Sequence, residues 1–72
     1  MKVWNIVKYA INQRGLKYTQ VSNRLNKSKN YITACFAMNR SPSVDTLNAI
    51  LHAVGWHIEA VSDATGERIT IE

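Results

Sequence analysis

The chain has 72 residues, 46% of them hydrophobic, and a formal net charge of +4. That is one small domain near the lower limit for an unaided core, and it is too apolar for a disordered tail. No apolar run approaches a membrane span, MKVWN is not followed by a secretory-type apolar segment, and one cysteine excludes an internal disulfide, so a cytoplasmic location is expected.

The charges are distributed unevenly. Lys2, Lys8, Arg14, Lys17, Arg24, Lys27, Lys29 and Arg40 all precede Asp45, with no Asp or Glu among them. From Asp45 onward five acidic residues face Arg68 alone, so the front carries +8 and the back −4. Ordinary solvated surfaces mix their signs; this front is expected to meet a polyanion.

In chain order, Lys2 to Arg14 reads as an amphipathic helix. Val3, Val7, Ala10 and Arg14 form one row, Trp4, Ile6 and Ile11 widen the stripe, and Gly15 supplies a left-handed end. Trp4 reads as a core anchor and Tyr9 as a half-buried prop, in preference to base-stacking rings. Leu16, Lys17 and Tyr18 are expected to connect to a second helix capped by Thr19, with Ser22 standing in for the Glu or Gln of a capping box. Val21, Ser22 and Leu25 mark the inner face of that helix. Asn26, which tolerates a left-handed backbone, turns the chain, and Ser28 is placed to cap a third helix. Ile32, Cys35 and Phe36 give the third helix its inner face at i, i+3 and i+4, leaving Lys29, Asn30, Thr33, Ala34 and Ala37 outside. That outer face is small, polar and basic, which suits a helix lying in a DNA major groove. Cys35, on the inner side, is expected to be an inert core thiol and not a redox switch.

Asn39 to Pro42 reads as a loop, with Pro42 discouraging helix before it. Ser43 then caps a fourth helix with Asp45 in its first turn, and Val44, Leu47, Ile50, Leu51 and Val54 follow at helical spacing until Gly55. His52 lies off that stripe and is expected in solvent. From Trp56 the period changes to two: Trp56, Ile58 and Ala60 alternate with His57, Glu59 and Val61. Asp63-Ala64-Thr65-Gly66 supplies a turn, and Ile69 and Ile71 lie on the return strand. A lone hairpin is marginal in water, so Trp56, Ile58, Ile69 and Ile71 are the expected dimer contact. His52 and His57 lack companion ligands for a metal, and there is no phosphate-cradling glycine loop or nucleophile elbow. Neither a metal, a cofactor, a catalytic residue nor enzymatic activity is therefore expected.

The order of these elements, with VSNRLNKSKNYI over the second helix, turn and third helix and SPSVDTLNAILHAVGW over the fourth, resembles the phage repressor and Cro type of helix-turn-helix regulator, the XRE-like family. The ending through ATGERITIE is similar to small phage and bacterial members with a C-terminal hairpin. The resemblance covers nearly the whole chain. It departs at Ser22, where the family usually has Ala, at Asn26, where it has a turn Gly, and at Phe36 and Met38, near which many members carry Glu and Gly.

What the resemblance implies is one mainly α domain over 1–72, a four-helix lambda-repressor-like fold with the helix-turn-helix at about 19–38 and a two-stranded C-terminal β-hairpin at about 56–72. It implies a homodimer that binds double-stranded DNA at an inverted-repeat operator, its recognition helices about 34 Å apart, and represses transcription. Lys29 and Asn30 would read base edges, and Thr33, Ala34 and Ala37 would meet thymine methyls or sugars. Lys17, Thr19, Lys27, Ser28, Tyr31, Asn39 and Arg40 would hold phosphates. No membrane and no small-molecule ligand is expected among its partners. The reading set against this one is a protein-interaction module on the same scaffold, antitoxin-like or a phage-encoded inhibitor of a host nucleic-acid machine, with the hairpin carrying the contact.

Overall fold

The computed structural model describes residues 2–38 and 40–72. Four helices, α1 (Val3–Arg14), α2 (Tyr18–Arg24), α3 (Tyr31–Ala37) and α4 (Val44–Ala53), precede two strands, β1 (Ile58–Val61) and β2 (Arg68–Ile71). The chain is therefore mainly helical with a small C-terminal sheet. Each helix contributes its apolar stripe to one core, built of Val7, Ala10, Ile11, Val21, Ile32, Ile50, Leu51 and Val54. Burying an aliphatic side chain of this size is worth ~1.5–3 kcal/mol. That matters most for α2 and α3, because seven-residue helices do not hold in water by propensity alone.

Three of the helices stop in the same way. After α1, the amides of Gly15 and Leu16 donate to the carbonyls of Asn12 and Ile11; after α2, those of Asn26 and Lys27 donate to Asn23 and Ser22; after α4, those of Gly55 and Trp56 donate to His52 and Leu51. Each pair ties up two of the carbonyls that a helix leaves free at its end, and each needs one left-handed residue. Gly15 (φ 70°), Asn26 (φ 59°) and Gly55 (φ 83°) take that place. Asn26 is the one non-glycine residue with positive φ among the described residues, as its short amide side chain permits.

Two helix starts differ from expectation. The second helix begins at Tyr18, one residue before the expected cap Thr19, with Lys17 extended in front of it. Gln20 is the reason: its Oε1 accepts from the Lys17 amide at 2.8 Å, which closes the first turn around Lys17. Ser22 is not free to act in a capping box because its hydroxyl is engaged in the core. The third helix begins at Tyr31 and not at Ser28; Ser28 contributes its carbonyl, not its hydroxyl, to a turn closed by the Tyr31 amide at 3.0 Å. α4 starts as expected, with the Ser43 hydroxyl accepting from the Thr46 amide at 3.1 Å.

The hairpin pairs Ile58 with Ile71 and Ala60 with Ile69 on one face, and Glu59 with Thr70 and Val61 with Arg68 on the other. Ser62 and Glu67 close its loop by an amide-to-carbonyl bond of 2.9 Å, with Asp63 to Gly66 between them and Gly66 at φ 77°. The hairpin meets the helices at its base, where Ile58 packs on the core and Trp56 stands edge-on to Tyr9, ring centroids 6.1 Å apart. Its far end extends away, and the molecule measures 42 × 24 × 19 Å.

Candidate nucleic-acid interface

The α2–turn–α3 unit is joined by one buried hydroxyl. Ser22 is completely buried on α2; its Oγ–H donates to the Tyr18 carbonyl at 2.9 Å, and its Oγ accepts from the Ile32 amide at 3.1 Å. The Ile32 amide is one of the first-turn donors of α3, a group that has no partner within its own helix. No side chain at Asn30 caps α3. The capping oxygen comes from the preceding helix instead, and so fixes how α3 sits on α2. Reading Ser22 as an inner-face residue and a stand-in for a capping-box Glu or Gln missed this. The available signal was a polar residue on an otherwise apolar face, since buried polar atoms are hydrogen-bonded.

Phe36 completes the joint. Its ring stands edge-on to Trp4, with centroids 5.5 Å apart, and to Tyr18, 5.0 Å apart, so α1, α2 and α3 meet at one aromatic cluster. Trp4 also donates from Nε1 to the Arg40 carbonyl at 2.6 Å, which seats the loop after α3 against α1. Trp4 thus anchors the core as expected, and half-exposed Tyr9 props Trp56.

With its inner side held in this way, α3 presents Thr33, Ala34 and Ala37 outward, all exposed, and the turn before it presents Lys29 and Asn30, also exposed. Lys29 and Asn30 therefore lie on the lead-in to the helix, with Asn30 at the cap position, and not within its first turn. All five expected base-reading residues stand together on this lead-in and helix.

The residues expected at phosphates divide. Lys17, Thr19, Lys27, Ser28 and Arg40 are exposed around the unit; Asn39 lies outside the described residues. Tyr31 is half-buried, and burial first, then the neighbouring Cys35 thiol, raise its phenol above the ordinary tyrosine value, so it remains a neutral donor. Lys27 holds its ammonium 5.6 Å from the Tyr31 ring centroid, placing that charge beside the start of α3. Arg24, counted within the basic front, is directed elsewhere: its Nη1 donates to the Ala53 carbonyl at 2.9 Å and so ties α2 to the end of α4.

Cys35 is half-buried, less enclosed than its inner-face position implies. It lines a recess of about 260 Å³ with Trp4, Tyr31, Met38, Pro42 and Thr46. α3 ends at Ala37, and the chain turns extended at Met38. On the hairpin, Ile69 is 61% exposed and Trp56 39%, whereas Ile58 and Ile71 are half-buried. Ile58 already serves the chain's own core. Among the described residues no helix is long and apolar enough to cross a membrane, and no three His, Cys, Asp or Glu side chains are grouped to hold a metal. No family model matches the chain, and no curated protein or solved structure matches it with significance.

Proposed function

We propose that the chain is a sequence-specific, double-stranded-DNA-binding transcriptional regulator of the phage-repressor type, with a lambda-repressor-like fold and a binding rather than catalytic role. One observation carries the reading. Lys29, Asn30, Thr33, Ala34 and Ala37 are all exposed on α3 and its lead-in, and Lys17, Lys27 and Arg40 are exposed on the segments before and after it, in a stretch of chain with no acidic residue before Asp45. A major groove offers acceptors and methyl groups to such a surface, and its rims offer phosphates. α3 then enters the groove, Asn30 bonding adenine and Lys29 donating to guanine. Two copies repress by occupying an inverted repeat, paired through the hairpin residues Trp56, Ile58, Ile69 and Ile71.

Binding to duplexes from upstream of its own coding region and to random duplex, across a salt series, tests this. Saturable, tighter binding to the upstream piece with a steep salt dependence is expected. Asn30→Ala should cost about 1–3 kcal/mol on the preferred sequence and relax one base position. Arg40→Ala should weaken all duplexes alike. Weak and equal binding to both pieces would transfer the proposal to the protein-interaction module, which the exposed Val61 and Ile69 of the hairpin favour.

A further inference from the structure

The Phe36 ring, near the C-terminal end of α3, borders three cations: Lys8 lies over it, and Lys2 and Arg40 line a recess with it. Lys8, on α1, holds its Nζ 5.1 Å from the Phe36 ring centroid. Lys2, Asn5, Phe36, Arg40 and Ser41 line an open recess of about 490 Å³ at the start of α1. The Trp4–Arg40 bond pins the loop backbone here while the Arg40 side chain stays exposed. Among the described residues the ion pairs are those of Glu59 with His57 and with Arg68, both on the hairpin. Lys2, Lys8 and Arg40 make no ion pair among the described residues. A carboxylate at position 36 would cancel Lys8; an aromatic ring attracts the ammonium and leaves its charge in place. Ammonium and guanidinium groups are donors with no acceptor capacity, and gathered without a counter-ion they match phosphate oxygens.

We infer that Lys2 and Lys8 of α1, together with Arg40, form a second ridge for the phosphodiester backbone of the duplex, beyond the segment met by α3 and its lead-in. The inference rests on the DNA-binding reading above and deepens it: α1 becomes a docking surface as well as a core helix. Backbone contacts carry no sequence preference, so random-sequence duplex is a sufficient probe. Each phosphate neutralised contributes about 0.9 to the slope of log K against log salt.

The test compares wild type, Lys2→Gln, Lys2→Gln/Lys8→Gln and Lys2→Arg/Lys8→Arg across a sodium chloride series, with melting curves on each. The double glutamine variant should lose about 1.8 of slope and Lys2→Gln alone about 0.9, with the arginine pair at the wild-type slope. Lys2 makes no side-chain bond at the helix start, so its single variant isolates charge from folding. A wild-type slope in the glutamine variants overturns the ridge and leaves the DNA reading standing. An arginine pair that falls as far as glutamine also overturns it, since charge would then not be the cause. A wild-type chain that binds no duplex overturns both.

Discussion

Ser22→Ala is the substitution that separates the structure from the resemblance. The family usually has Ala at this place, so by analogy the change is harmless. By the geometry it is not: the Ile32 amide loses the oxygen that accepts it at 3.1 Å, in a buried position that water does not reach. A buried donor left without a partner costs about 1–3 kcal/mol. The second bond, from Oγ to the Tyr18 carbonyl, adds little, because that carbonyl faces the helix's own amide ladder. Alanine returns a few tenths of a kcal/mol through its better helix propensity. The net loss is about 2 kcal/mol, which for a domain of this size lowers Tm by about 8–16 °C. Urea unfolding followed by far-ultraviolet circular dichroism should show a lower midpoint with an unchanged slope. A variant within about 0.5 kcal/mol of wild type, the usual range for changes away from such features, would mean that the hydroxyl does not cap α3.

Asn26→Ala should destabilise by about 1 kcal/mol, whereas Asn26→Gly should be neutral or stabilising, because φ 59° penalises a Cβ that is not helped by a local amide; equal melting of the two would remove the strain argument. Glu59 is held below the usual carboxylate range, first by its 2.7 Å hydrogen bond to His57 and then by the charges of Arg68 and His57. A carboxyl depressed in the folded state contributes stability above its ordinary pKa and loses it as the pH falls through the folded value. Hairpin amides should therefore exchange faster in acid than the helices predict, and Glu59→Gln should flatten that acid-side change; the same acid loss in the variant would refute the link. Ile69→Asp should weaken self-association in sedimentation equilibrium while changing monomer stability by less than about 0.5 kcal/mol, since Ile69 is 61% exposed. An unaltered association constant would take the hairpin face out of the interface.

Much of the architecture is written in local chemistry. The stripe from Val7 to Ile11, the inner positions Val21 and Ile32, and Ile50 with Leu51 repeat at helical spacing, and all are buried. Gly15, Asn26 and Gly55 each announce a left-handed stop, and each makes one. The change of period after Trp56 marks the strands, whose register the structure supplies. What was not legible depends on partners distant in sequence. Tyr18 belongs to α2 because Gln20 closes the turn behind it, and its ring meets Phe36, eighteen positions on. Ser28 does not cap α3, which begins only at Tyr31 and whose Ile32 amide takes its oxygen from Ser22 on the helix before. Lys8 and Arg24 read as members of a uniform basic front, yet one lies over an aromatic ring and the other closes α4. Charge counting cannot separate them; only the fold brings each to its neighbour.

The outer side of the α2–turn–α3 unit has a further consequence. Lys29, Asn30, Thr33, Ala34 and Ala37 make no side-chain hydrogen bond or ion pair to the described chain, while the joint beneath them rests on Ser22, Ile32 and Phe36. The two sets share no residue. Substitution of these five side chains breaks no side-chain bond of the joint, so on the proposed DNA-binding reading the residues that would choose a target can change separately from those that hold the fold.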